Sequence, residues 1–476
     1  MKKSRSPFDL AAKAPAMATV SRLFALAAPL AMLSACGQVR PLPPSPACSV
    51  TAYRILPTKF HPRLALAPTS LESFAGTGAA PATFAEALAR RLQVRNEVTN
   101  ALRREVLVLS GGSQHGAFGA GFFRGLKAQG KIPDYDVITA VSTGALQSTM
   151  VLLANREEPS DRQHFPAYQS IDRGLGKPGN SNIDDIALAY AIGDESDIFD
   201  VGSLGYVGAA LNGSIGTFRP LRALVGDIIT TETIRLVAKE AKAGRSLFVG
   251  VTNADDGFGY AVDMTKLAFD GVESGDIAAA RNCYIETLVA SSSVPPGVPP
   301  VALTRKPLAR EAGPSTDLYL DGGARFGVFF QQLGPVVHAD KPADMTLIVN
   351  GFLYSDPWTD KKTQAKPEKW SVASFGLRAI GILQNQVYRL SVADAEEWAG
   401  QNGTLKLAFI SEEDLTDMTM KPLDWPYPAD GPTCRDAKVQ DAKRSKPEEF
   451  YPAYMRCMID YGEQRARRDP WNKRLP

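Results

Sequence analysis

Residues 105–122 read EVLVLSGGSQHGAFGAGF, and this stretch constrains the fold more than any other part of the chain. Its first half is an unbroken apolar run that suits a strand buried on both faces. Its second half, made of glycine, alanine and phenylalanine, suits a helix lying close against its neighbours. Between them Gly111 and Gly112, followed by Ser113, Gln114 and His115, form a tight turn. A buried strand that passes through a glycine turn straight into a helix is the opening of an α/β unit. The pattern places the strand over 105–110 and the helix over 115–129.

The same alternation recurs downstream. Residues 135–154, YDVITAVSTGALQSTMVLLA, read as a second strand, a sharp turn at Ser142 and another helix. Apolar runs over 246–255 and 343–353 suit further buried strands. IETLVASSSVPPGVPPV is a helix running into a Ser/Pro loop, and LYLDGG a strand ending in a turn at Asp321. Amphipathic spacing gives a helix over 82–103, a long one over 371–400 and a last one near 447–468. Strands alternating with helices imply a mostly parallel sheet covered on both faces.

At 476 residues, 44% apolar and 22% charged, the chain has the profile of a globular body able to bury a core. A net charge of +2 offers no basic footprint, so nucleic acid is not an expected partner. The N-terminus is different. A basic MKKSRS precedes an apolar stretch from Leu23 to Ala35, too short to span a bilayer as a mature helix and laid out as a secretory signal. Its end, Leu33-Ser34-Ala35-Cys36, resembles a bacterial lipobox, which implies lipidation of Cys36 and anchoring in the cell envelope. Gly37, where an aspartate would matter, resembles an outer-membrane sorting signal. The other reading is a cleaved signal with an incidental cysteine.

Export places the other cysteines in an oxidising compartment. Cys48, Cys283, Cys434 and Cys457 allow three pairings, of which the local Cys434–Cys457 bridge is the cheapest. No Cys/His cluster has metal-ligand spacing. The expected organisation is a signal over 1–35, a proline-rich tether and extension over 36–81, an α/β domain over 82–410, and a C-terminal extension over 411–476 with a helix and the possible disulfide.

What does the glycine turn hold? A dinucleotide fingerprint needs G-x-G-x-x-G in register at the strand-to-helix junction, and from Gly119 the pattern fails at Arg124. A P-loop ends in Gly-Lys-Ser/Thr, whereas Ala117 follows Gly116 here. Consecutive glycines before a helix still aim backbone N–H groups at an anion. The remaining candidate is an oxyanion, which needs a nucleophile nearby. Ala140-Val141-Ser142-Thr143-Gly144, about thirty residues on, is close to the G-x-S-x-G nucleophile elbow, with alanine for the first glycine. A serine nucleophile needs a base. Asp321, at a strand end before Gly322-Gly323, supplies a carboxylate, although Asp-Gly alone is a common turn.

In this order GGSQHG (111–116), AVSTG (140–144) and DGG (321–323) resemble the signatures of the patatin-like phospholipase family, and VASSSVPPGVPPV (289–301) is similar to its ASSAxPxxFPP segment. The resemblance covers roughly residues 104–410. It implies a three-layer α/β/α fold with a mostly parallel central sheet. It implies a serine esterase or lipase acting on acyl esters, lipids among them. Ser142 is then the nucleophile and Asp321 its base, with an oxyanion hole at Gly111, Gly112 and Ser113, and neither cofactor nor metal. Ser113 stands for the family's third glycine, so a serine at the hole needs angles it can adopt without a positive φ. His115 stands where the family often has a basic residue and reads as an oriented loop residue. Two alternatives stay open. His338, seventeen residues after Asp321, would complete a Ser–Asp–His triad in the chain order of α/β-hydrolases. Alternatively, the departures at Ala140, Ser113 and His115 would mark a non-catalytic envelope lipoprotein that keeps the fold.

Overall fold

The strands of this protein end where its glycine and serine turns begin, and that is what brings the motifs together. The structure, a computed structural model, describes residues 48–55, 83–161, 181–202, 214–308, 313–330, 333–351, 353, 372–410, 433–444, 447 and 449–472. The leader, Cys36 and the proline-rich tether that follows it lie outside these residues.

Ten strands form one sheet: β1 (Ser49–Val50), β2 (Ala52–Arg54), β3 (Arg104–Leu109), β4 (Val137–Val141), and, after a small ribbon of β5 (Asp200–Val201) and β6 (Gly216–Thr217), β7 (Ser246–Asn253), β8 (Gly259–Asp263), β9 (Val301–Arg305), β10 (Ser315–Asp321), β11 (Ala343–Ile348) and β12 (Gly403–Ala408). The neighbours β7, β4, β3, β11 and β12 run parallel. On the other side of β7, β10 and then β9 pair antiparallel. β7 continues past the end of β4, pairing Gly250 with Val141 and then Val251 with Asp321. The antiparallel β10 therefore delivers Asp321 level with the end of β4, where Ser142 follows.

Successive side chains of a strand point to opposite faces. In β3, Leu107 and Leu109 enter one apolar cluster while Val106 and Val108 enter another; in β4, Ile138 and Ala140 separate from Val137 and Val141 in the same way. Helices Gly116–Ala128, Thr143–Leu152, Met264–Ser274 and Ile277–Ser291 cover the first face. Helices Phe84–Val98 and Val372–Asn402 cover the second. Burial on both faces is why these strands read as continuous apolar runs rather than alternating ones. The result is the three-layer α/β/α arrangement with a mostly parallel sheet.

The local readings differ from the structure at three places. The helix expected over 82–103 is Phe84–Val98, started by Thr83, whose hydroxyl accepts from the Glu86 N–H at 3.2 Å. It stops early because Arg103 and Arg104 are drawn to the sheet. Arg103 pairs bidentately with Asp344 at 2.7 and 2.6 Å, and Arg104 Nε donates to Val337 O at 2.9 Å. The last helix is Pro452–Arg468, and Cys434–Arg444 forms a second helix in the extension, where the sequence pattern gave one. Helix Pro452–Arg468 lies against Gly116–Ala128 at backbone contact: a Cβ on Gly125 would stand 2.5 Å from Glu463 O. The small residues of 116–125 thus seat a C-terminal helix, and the extension builds part of the first face.

Both disulfides are formed, Cys48–Cys283 across 235 residues and Cys434–Cys457 across 23. The first ties the residue preceding β1 to helix Ile277–Ser291, and the second ties two C-terminal helices. Among the described residues no helix is long and apolar enough to cross a membrane.

Candidate active site

Ser142 caps the end of β4 with φ 54° and ψ −126°, a left-handed region that non-glycine residues rarely occupy. Such a conformation costs on the order of 1–3 kcal/mol and persists only where the surroundings over-determine it. Here they do. The Ser142 N–H donates to Ser291 Oγ at 2.9 Å, and Ser291 Oγ donates to Gly250 O at 2.7 Å. Helix Thr143–Leu152 starts at once, and Gly144 passes so close to β3 that a Cβ there would lie 2.5 Å from Ser110 O. Ala140, the departure from the elbow pattern, is fully buried in the first-face cluster, and the elbow forms around it.

The glycine turn lies beside this serine. A side chain on Gly111 would place its Cβ 2.9 Å from Ser142 Cβ and 3.6 Å from Ser142 Oγ, and would collide with the Tyr388 hydroxyl. Gly112 takes φ 150°, and a Cβ there would meet Gly351 N at 2.6 Å. The short 3-10 turn Ser113–His115 has no side-chain cap, so its first N–H groups have no acceptor within the turn, and Gly112 and Ser113 line the same cavity as Ser142. Asn350 braces the loop: its N–H donates to Ser110 Oγ at 2.8 Å and its Nδ2 donates to Ser110 O at 3.1 Å and to Gln147 Oε1 at 3.2 Å. Gln147 Nε2 in turn donates to Gly116 O at 2.7 Å.

Ser113 corrects the sequence reading. It adopts φ 51°, the positive angle that a serine was expected to avoid. Its Oγ donates to Glu449 Oε1 at 2.7 Å, a tertiary contact that holds the residue there. His115 is neutral: burial and the nearby Lys438 push its pKa down to about 3. Its Nδ1 lies 3.1 Å from Gly112 O and its ring stands edge-on to Tyr454. A neutral imidazole donating to that carbonyl orients the loop and offers no charge to a substrate.

Asp321 is buried at the end of β10. Its N–H donates to Ser293 O at 2.9 Å, and its Oδ1 accepts from the Gly323 N–H at 2.5 Å. Burial raises the carboxyl pKa to about 7, while the Ser142 hydroxyl and the Gly323 N–H pull it down. Oδ2 has no hydrogen bond of normal geometry, so the serine stands close enough to influence the carboxylate without a closed bond to it. Unliganded hydrolytic sites commonly show such loose contacts.

Ser142, Gly112 and Ser113 line one cavity of about 610 Å³, within the range of small-molecule sites. Its lining is mostly apolar and includes Leu146, Met150, Ile186, Leu221, Leu224 and Val225. Sequence reasoning missed the parts that fix this site, Ser291, Asn350, Gln147 and Glu449, and also Gln384 and Tyr388 on helix Val372–Asn402, which line the cavity. Ser291 alone left a signal, inside the Ser/Pro segment.

The structure removes His338 as a third member. It follows the short helix Leu333–Val337 and precedes β11, beside Arg104 at the start of β3. Ser142 stands at the other end of the parallel strands, six residues of strand away, roughly 20 Å. The His338 ring packs edge-on to Trp398. The chain order was right for a triad and the location wrong. Cys36 lies outside the described residues.

The family model described as patatin-like phospholipase matches residues 107–333, from β3 through the DGG turn. No curated protein matches the chain. Among solved structures, VipD from Legionella pneumophila aligns at 13% identity and a TM-score of 0.24. That alignment covers 52% of this chain and 50% of VipD, so the chain spans half of that relative's length. The family match supports a lipid acyl hydrolase activity in general terms. Over residues 107–333 the chain is thus similar to the patatin-like phospholipase family.

Proposed function

We propose that the protein is a serine esterase or lipase that hydrolyses acyl esters of lipids through a Ser142–Asp321 dyad. The observation that carries this reading is the elbow itself. Ser142 is held at a positive φ between the glycine turn and the buried Asp321, with its side of the cavity open to a substrate. Asp321 takes the hydroxyl proton as Ser142 Oγ attacks the ester carbonyl. The carbonyl oxygen gains charge, and the N–H groups of Gly111, Gly112 and Ser113 stabilise it. Collapse expels the alcohol, to which Asp321 returns the proton. Water then releases the acid from the serine. The apolar lining suits the acyl chain, whose burial adds about 0.8 kcal/mol per methylene.

The purified mature protein, assayed against a panel of phospholipid, acylglycerol and simple esters, tests this. Hydrolysis lost in both Ser142→Ala and Asp321→Asn supports it. Activity that survives in either variant contradicts it.

The site is proposed to work at the cell envelope, carried by a lipidated Cys36 on the outer membrane. Two disulfides, Cys48–Cys283 and Cys434–Cys457, support export to an oxidising compartment, and the proline-rich segment after Cys36 would space the domain from the surface.

A further inference from the structure

Hydrolysis by a serine has a second half, in which water must reach the acyl carbon with a base beside it. Helix Val372–Asn402, beyond the segment matched to the family, aims two polar side chains at that place. A side chain on Gly323 would project to a point 2.8 Å from Asp321 Oδ1, 3.3 Å from Gln384 Nε2 and 3.7 Å from the Tyr388 hydroxyl. Glycine at 323 keeps this niche open. The Tyr388 hydroxyl also borders Gly111, next to Ser142. Gln384 and Tyr388 both line the cavity and stand one helical turn apart. Burial and the charge of Asp321 raise the Tyr388 pKa, so the phenol keeps its proton and is a donor at neutral pH. A bound water needs two to four polar partners, and this niche supplies a carboxylate acceptor and two donors.

We propose that Tyr388 and Gln384 position the water that hydrolyses the acyl-enzyme. The inference rests on the Ser142–Asp321 reading and adds a role to residues outside it. The water oxygen bonds to the acyl carbon while one of its protons passes to Asp321. The tetrahedral species then breaks its bond to Ser142 Oγ, Asp321 returns the proton to that oxygen, and the carboxylic acid leaves. Between them Tyr388 and Gln384 donate to one of the water's lone pairs, while Asp321 accepts its proton, so that the other lone pair faces the acyl carbon. They are not needed when the serine attacks the ester.

The test separates the two halves. Tyr388→Phe and Gln384→Leu are mixed rapidly with p-nitrophenyl butyrate, and released nitrophenol is followed together with the intact protein mass. The expected result is a near-stoichiometric burst at the wild-type rate, then steady turnover reduced roughly tenfold or more, with butyryl-enzyme accumulating. Fluorophosphonate labelling should proceed at the wild-type rate, and added hydroxylamine should restore turnover by replacing water. A structural role for these residues would slow both halves together. Parallel slowing in a folded variant, or unchanged steady turnover in both variants, would overturn the proposal. If Tyr388→Phe unfolds by near-UV circular dichroism, Gln384→Leu decides alone, because its side chain is partly exposed. A wild-type enzyme in which Ser142 is never acylated fails differently, and removes the dyad reading.

Discussion

Ser142 donates its backbone N–H to Ser291 Oγ at 2.9 Å, and that bond ties the strained turn at Ser142 to the end of helix Ile277–Ser291. Ser291 completes the tie by donating to Gly250 O on β7. Ser291→Ala takes from the buried Ser142 N–H its Ser291 acceptor and from Gly250 O one donor, which should cost about 1–3 kcal/mol of stability. The elbow loses one of the contacts that enforce φ 54°, so turnover should fall while substrate binding changes less. Thermal melts and steady-state kinetics on the same variant check both effects. Wild-type stability in Ser291→Ala would show that the tie holds nothing.

In the proposed mechanism the glycine turn acts through backbone groups, so side-chain and backbone substitutions there should separate. Ser113→Gly removes the strain at φ 51° but also the bond to Glu449, and should keep or raise turnover. Gly112→Pro removes a donor and cannot take φ 150°, and should cost roughly a hundredfold or more in turnover. A folded, fully active Gly112→Pro would mean that the turn holds no oxyanion.

Asp321 makes activity and stability depend on pH in opposite directions. As the base it must be ionised, so turnover should rise with pH through about 7 and fall away below it. Its folded pKa lies above the ordinary carboxylate value, so the folded state favours the protonated form. The stability this contributes is fully present below the unfolded value near 4 and is lost as pH rises through about 7. Asp321→Asn should therefore raise the melting temperature above pH 7, gain little near pH 4, and abolish turnover at both. A variant equally stabilised at both pH values would contradict the buried charge as the cause.

Much of this site was legible because the chemistry clusters at strand ends. The runs that become β3, β4 and β10 each stop at a glycine or serine turn, and all three turns were visible as motifs in one order. Their braces were not visible. Asn350 reaches the loop only because β11 pairs in register with β3, Ile348 against Leu109, and no local pattern announces that register. Ser113 tolerates its positive φ through Glu449, 336 residues away. Tyr388 sits in a long helix whose apolar spacing reads as core, and its ring is indeed core while its hydroxyl is not. His338 misled because chain order carries no information about which end of a strand a residue occupies.

The proposed lipid anchor at Cys36 makes a prediction of its own. Cys36→Ser in the full-length chain should shift the protein from the membrane fraction to soluble or unprocessed forms. Labelled fatty acid should enter the wild type and not the variant. Equal membrane retention of both would remove the lipobox from the account.

The central claim is that Ser142 is an activated nucleophile. It is tested most directly by treating the mature protein with a fluorophosphonate at pH 8 and locating the adduct by peptide mass spectrometry. The account predicts one adduct per chain on Ser142, formation that slows as pH falls below about 7 with the protonation of Asp321, and none in Ser142→Ala. An unlabelled wild type, or an adduct that persists on another residue in Ser142→Ala, would contradict it.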